Sequence, residues 1–281
     1  MCIRGLQAAC RFDTISKRKA KAGETVNQKS DHIAVFDSGV GGISVLRQLV
    51  ARMPGERYLY YGDTAHAPYG TRSPDEVRAL ALAAAEKLVS RGLKALVVAC
   101  NTAPAMAIDT LRSRYPDLLI IGIEPALKVA ADKYPGCRVG IMATPVTLAG
   151  EKLHHQMERF ENCCEIYSIP APGLSELVDA GQQNSPRCEA LLRELLEPFV
   201  GKLDALVLGC THYPFAAATI SRILGENTVL LDGGIGTAAQ TQRQLAQLGL
   251  LAEEGPGEVI FEYSDDSPRL QAVSRSLLGA E

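Results

Sequence analysis

Two cysteines stand in matched settings. Cys100 closes Lys-Ala-Leu-Val-Val-Ala-Cys-Asn-Thr-Ala (94–103), and Cys210 closes the same kind of apolar run in Asp-Ala-Leu-Val-Leu-Gly-Cys-Thr-His-Tyr (204–213). Small polar residues and a helix-forming stretch follow each thiol. A thiol where a strand hands over to a helix faces free backbone N–H groups, which predicts a pKa below the ordinary value of about 8.5. Asn101, Thr102 and Thr211 offer donors and acceptors suited to the ammonium and carboxylate of an amino acid. His212, two residues after Cys210, can exchange a proton with that thiol or with a ligand. A lone strand-end cysteine is as readily a small buried apolar residue. A duplicated core strand would explain the valines, but not the polar residues after both thiols.

Other strand-end motifs surround this pair. Asp37-Ser38-Gly-Val-Gly-Gly-Ile43 opens a helix, where glycines allow close backbone approach and free N–H groups suit a carboxylate. The alternative is a tight turn with no ligand. Gly39-x-Gly41-x-x-Ser44 lacks the third glycine of the dinucleotide fingerprint and matches it weakly. In Tyr61–Gly70, the turn Pro68-Tyr69-Gly70 can present a hydroxyl and backbone N–H groups. Asp63 there reads equally as a tuning carboxylate or a solvated loop acid, and His66 as a loop residue without a role. His154-His155 and Cys163-Cys164 are adjacent pairs whose side chains diverge, so no metal site is assigned to them.

The elements that must position these groups follow from the patterning. From Asp31 onward, short β-branched runs alternate with longer amphipathic stretches, the signature of βα units and a parallel sheet. Strands are expected at 32–37, 57–62, 94–99, 118–123, 137–142, 165–169, 204–209, 228–232 and 258–263. Val77, Leu80, Ala81, Ala84 and Leu88 keep helical spacing. The two cysteine runs lie about 110 residues apart, close to one domain length. This predicts an α/β chain of two related parallel-sheet domains with the active site in the cleft between them, because ligands of open α/β sheets bind beyond the carboxyl ends of the strands. The expected division is residues 1–30 as a flexible N-terminal extension, 31–122 plus 237–281 as the domain carrying Cys100, and 123–236 as the domain carrying Cys210.

Bulk properties narrow the function classes. The 281 residues carry a net charge of -3 and 5% aromatics with no Trp, which argues against nucleic-acid stacking platforms and anionic-membrane binding. Eight cysteines in a chain this long, with no Cys-x-x-Cys pair, do not form the disulfide framework of a small secreted domain. No run has the length of a membrane span. Residues 1–30 are basic (Arg4, Arg11, Lys17, Arg18, Lys19, Lys21 and Lys29 against Asp13 and Glu24); a frayed extension is preferred to a transit peptide. A reduced, cytoplasmic setting is expected. No lysine among the strand-end motifs stands out as a Schiff-base group, so no cofactor is assigned.

The set Asp37-Ser-Gly-Val-Gly-Gly, Pro-Tyr-Gly70, Ala-Cys-Asn-Thr-Ala103 and Gly-Cys-Thr-His-Tyr-Pro214, in this order, resembles the glutamate racemases of the aspartate/glutamate racemase superfamily. The likeness runs from about Ile33 to the last helix. It implies catalytic Cys100 and Cys210, assisted by Asp37 and His212. It also implies substrate contacts from Asp37, Ser38, Tyr69, Gly70, Asn101, Thr102, Thr211 and His212, with Thr144 and Thr147 as a further threonine motif. A family acid expected within 174–181 corresponds to Glu176 or Asp179. The late segment Leu231-Asp-Gly-Gly-Ile235 departs from the family pattern and is assigned no role. The implied chemistry is cofactor-free inversion of the α-carbon of glutamate, supplying D-glutamate for peptidoglycan, with a thiolate on one face and a thiol on the other. Asp37 is paired with Cys100, and His212 with Cys210. A homodimer is the expected assembly. Some relatives bind a peptidoglycan-precursor activator through an N-terminal extension, and some inhibit DNA gyrase; neither property is legible in residues 1–30. The competing readings are a related enzyme acting on aspartate, a hydantoin or maleate, and a binding protein that uses the cleft without turnover.

Overall fold

The computed structural model describes residues 28–123, 126–133, 136–253, 255–265 and 267–279. Most of the basic N-terminal extension, residues 1–27, lies outside them. Nine strands form in chain order: β1 (His32–Asp37), β2 (Arg57–Gly62), β3 (Leu93–Val98), β4 (Leu119–Gly122), β5 (Arg138–Ala143), β6 (Glu165–Pro170), β7 (Ala205–Leu208), β8 (Val229–Leu231) and β9 (Glu258–Tyr263). Each falls where an apolar run placed it, with ends shifted by a residue or two. The helices are α1 (Ile43–Arg52), α2 (Pro74–Val89), α3 (Thr102–Arg114), α4 (Leu127–Lys133), α5 (Pro145–Ala149), α6 (Glu151–Phe160), α7 (Leu174–Asp179), α8 (Pro186–Leu196), α9 (Ala217–Leu224), α10 (Gly234–Leu248) and α11 (Pro268–Leu278).

The strands build two wholly parallel sheets, in the orders β4-β3-β1-β2-β9 and β6-β5-β7-β8. The chain leaves the first sheet after β4, completes the second, and returns through α10, whose Ala238 and Leu245 pack with Leu46 and Leu49 of α1. The division expected at 236/237 falls inside α10. Within β1, Ala34 and Phe36 enter one core while Ile33 and Val35 enter the core on the opposite face. This is the period-2 alternation of a strand covered by helices on both sides. The second sheet repeats the plan, with Leu206 and Leu208 on one face and Ala205 and Val207 on the other.

Strand order fixes where ligands can sit. In the first sheet the connections run outward in opposite directions from β1 and β3; in the second they do so from β5 and β7. Such reversals open a crevice at the strands' carboxyl ends. The last sheet bonds there are equivalent: Ala99 N–H donates to Phe36 O at 2.8 Å, and Gly209 N–H to Met142 O at 2.8 Å. In each case the next residue is a cysteine, Cys100 or Cys210.

Candidate active site

Both cysteines open into one cleft. Its space is about 680 Å³ including the mouth, and its lining is drawn from both sheets. Ser38, Tyr69, Gly70, Cys100, Asn101 and Thr102 come from the first, and Thr144, Thr147, Glu176, Asp179, Cys210, Thr211 and His212 from the second or its connections. Among the described residues, no lysine or arginine lines it. Of the catalytic and substrate-contact residues expected from sequence, only Asp37 does not reach the cleft wall. It is fully buried behind it, accepting Gly39 N–H on Oδ1 at 2.8 Å and the Thr211 hydroxyl on Oδ2 at 3.0 Å.

Cys100 lies between β3 and α3, with the Ser38 hydroxyl 3.8 Å from its sulfur. The backbone N–H groups of Ala103 and Thr102 favour the thiolate, as the junction predicted. They do not prevail. Complete burial and the Asp37 carboxylate push the Cys100 thiol up to about 11. The expectation of a lowered pKa is therefore corrected for Cys100: desolvation and a neighbouring negative charge outweigh two N–H groups. Asp37 is itself pushed up by burial, against the pull of His212, Gly39 N–H and Thr211.

Cys210 meets a different field. Its sulfur lies 3.6 Å from His212 Nδ1, and His212 Nε2 lies 3.0 Å from Asp179 Oδ1. Burial alone would lower the His212 pKa; the Asp179 carboxylate and the Cys210 sulfur override it and hold the ring well above 6.5. Asp179 resists burial in the same way and lies below the usual carboxylate range, held there by His212 and Val40 N–H. With both nitrogens protonated, the ring donates to Asp179 on one side and to the thiol sulfur on the other. Asp179 and Glu176 sit three residues apart on α7 and share its cleft-facing side. Asp179 is the one that contacts the histidine, while Glu176 is exposed and accepts Ser175 Oγ at 2.8 Å.

The threonines and the Pro-Tyr-Gly turn have structural partners as well. Thr144 caps α5, accepting Thr147 N–H at 3.3 Å and donating to Thr147 Oγ1 at 2.9 Å. Thr147 Oγ1 lies 3.3 Å from Thr102 Oγ1, so this hydroxyl chain bridges the two sheets. A Cβ at Gly70 would come within 3.1 Å of Thr144, which explains a glycine where the first sheet's loop meets the second sheet. The Tyr69 hydroxyl, expected to be free for a ligand, instead donates to Asp63 Oδ2 at 2.6 Å, and His66 Nδ1 lies 2.8 Å from Oδ1. Asp63 is buried rather than solvated, because its N–H extends the β1–β2 pairing by bonding Asp37 O at 2.9 Å. Sequence reasoning missed this triad and the bond from Ser44 Oγ to Thr211 O at 2.8 Å. An acid and a phenol six residues apart around a proline turn was the available signal for the first. Among the described residues, no cluster of three His, Cys, Asp or Glu could hold a metal, and no helix is long and apolar enough to cross a membrane.

Fold and cleft together define a two-sheet α/β protein with a ligand site at paired switch points. The chain belongs to the Asp/Glu/Hydantoin racemase family, whose model matches residues 36–241. It is 42% identical over 250 residues to a glutamate racemase from Clostridium novyi, covering 88% of this chain and 96% of that one. Among solved structures, it is similar to the Francisella tularensis glutamate racemase in complex with D-glutamate (TM-score 0.78, 28% identity, 90% and 95% of the two chains). It is also similar to the Escherichia coli glutamate racemase in complex with L-glutamate and the activator UDP-MurNAc-Ala (TM-score 0.77, 29% identity, 88% and 92% of the two chains).

Proposed function

We propose that the protein interconverts L- and D-glutamate without a cofactor, using Cys100 and Cys210 as acid and base on opposite faces of the α-carbon, and that it supplies D-glutamate for peptidoglycan. The observation that carries this reading is the emergence of both cysteines, one residue past equivalent sheet bonds, into a single cleft. Inverting a carbon centre by proton transfer needs a base on one face and an acid on the other. One sulfur accepts the α-proton as the other delivers a proton from the opposite side, and the roles exchange for the reverse reaction. The α-hydrogen of an amino acid is far less acidic than a thiol, so the developing carbanion has to be stabilised by N–H and hydroxyl groups already in place. Ser38, Asn101 and Thr102 supply such groups, and the protonated His212 ring lines the same cleft.

His212 serves Cys210, and Asp179 holds His212. Asp37 serves Cys100 through charge, and it reaches across to the second sheet through Thr211. Of the two acids expected on α7, Asp179 is therefore assigned the role. A homodimer, and an activator of the kind named for the Escherichia coli complex, belong to the same proposal. Purified protein in deuterated water should convert either enantiomer to the racemate, with deuterium entering at the α-carbon and no added cofactor. Cys100→Ala and Cys210→Ala should each lower the rate by about 100-fold or more. Full activity in either variant would overturn the two-thiol reading. Turnover of aspartate or a hydantoin in preference to glutamate would overturn the substrate assignment.

A further inference from the structure

A second pair of thiols lies at the other end of the smaller sheet. Cys137 precedes β5 and Cys164 precedes β6, one position before the first registered pair, Arg138↔Glu165. Strand hydrogen bonds bracket them: Glu165 N–H donates to Cys137 O at 2.9 Å, and Gly136 N–H to Cys163 O at 2.7 Å. Facing residues on neighbouring strands have backbones about 4.8 Å apart, inside the window of roughly 4.4–6.8 Å between Cα atoms that a disulfide needs. Both side chains are buried in the core under α4 and α6, and their sulfurs are 3.1 Å apart. Cys163, immediately before Cys164, is exposed.

We propose that Cys137 and Cys164 form a reversible oxidative modification site, becoming a cross-strand disulfide when the protein meets a hydroperoxide. One sulfur of the pair attacks a peroxide oxygen and breaks the O–O bond, giving a sulfenic acid and releasing water once hydroxide takes up a proton. The other sulfur then attacks the oxidised one, the S–S bond forms, and a second water leaves. In sum, two thiols are oxidised and one hydrogen peroxide is reduced to two waters. Burial and the neighbouring sulfur push the Cys137 thiol up. Burial makes the reaction slower than oxidation of an exposed thiol. The new bond would close the loop from 137 to 164, the segment that carries Thr144 and Thr147 to the cleft and, through Thr147, to Thr102. Oxidation would thus restrain the lip of the cleft from behind, without touching either cleft thiol.

The test treats the reduced wild-type protein with hydrogen peroxide, using Cys163 as an internal measure of dose. At the dose that oxidises half of Cys163, peptide mapping after denaturing alkylation should show Cys137 joined to Cys164, with dithiothreitol releasing both. Oxidised wild type should melt higher by on the order of 5–10 °C, while Cys137→Ala treated identically shows no rise. Should that variant fail to fold, Cys164→Ala provides the comparison, and the peptide map of the wild type stands without either. Recovery of both residues as free thiols, a bond from Cys163 to either of them, or a melting temperature that does not rise would each overturn the proposal.

Discussion

Cys100 and Cys210 present the same atom to opposite fields. Buried beside Asp37, Cys100 rests as a thiol with its pKa pushed up to about 11, while the Cys210 sulfur faces a histidine held protonated by Asp179. Because the thiolate is the reactive form, alkylation of Cys100 by iodoacetamide in a Cys210→Ala background should rise about tenfold per pH unit from 7 to 9 and still be rising at 10. A plateau before pH 9 would contradict the burial argument. Asp179→Asn removes the charge that keeps His212 ionised, so the ring should titrate at much lower pH in NMR spectra. The kcat/KM should fall by about 10–100-fold. Enantiomers have equal free energy, so that fall must be identical in the two directions. The stability sign follows from the two shifts. The raised pKa of His212 stabilises the fold fully below about 6.5 and loses its effect as pH rises through the folded value, whereas the lowered pKa of Asp179 stabilises above 3.8 and loses its effect as pH falls. Wild type and Asp179→Asn should therefore differ most in urea unfolding near pH 5, and converge toward pH 2.

At the scale of elements, the loop from β1 into α1 is built around what the second sheet presses onto it. A Cβ at Gly41 would lie 2.6 Å from Thr211 Oγ1 and closer still to the His212 ring. Gly41→Ala should displace His212 from Cys210 and lower kcat/KM by about 100-fold, the usual consequence of misplacing a catalytic group by 1 Å. Thermal melting should fall as well, since the clash is with two buried, hydrogen-bonded side chains. If activity survives, the position of the His212 ring is not critical. These elements were largely legible in sequence. β-branched runs marked the strands, and a matched change of pattern after two of them marked the cysteines. The net pKa of Cys100 was not legible, because it depends on how deeply the junction sinks beside Asp37. The choice between Glu176 and Asp179 was also closed to sequence, because both occupy one face of a single helical turn. The triad around Asp63 was missed because an acid in a loop is ordinarily solvated, whereas here the extra β1–β2 bond and the Tyr69 hydroxyl hold it inward.

Across the whole molecule, the first sheet must stay closed at its far end after the chain has left it and come back. Lys94, at the start of β3, is wholly buried there and lies 2.5 Å from Glu56 Oε2. Its ammonium also donates to Lys29 O at 2.6 Å and Leu250 O at 3.0 Å, while Glu56 Oε1 accepts Ala252 N–H at 2.9 Å. One ion pair thus joins the lead-in to β1, the turn before β2, the start of β3 and the connection from α10 to β9. A lysine in a strand reads as solvated until all four segments are assembled, so this junction left no mark in sequence. Lys94→Met would leave the Glu56 charge buried and unpaired, at a cost of about 3–5 kcal/mol in urea unfolding. Combining it with Glu56→Gln removes the stranded charge and should recover more than half of that loss. Six residues of strand, about 20 Å, separate Lys94 from Cys100, so racemisation by the folded fraction should change by less than about twofold in either variant. A single variant as stable as wild type would mean that water reaches Glu56. A double variant no better than the single would place the cost in the lost bonds to Lys29 and Leu250 rather than in the charge.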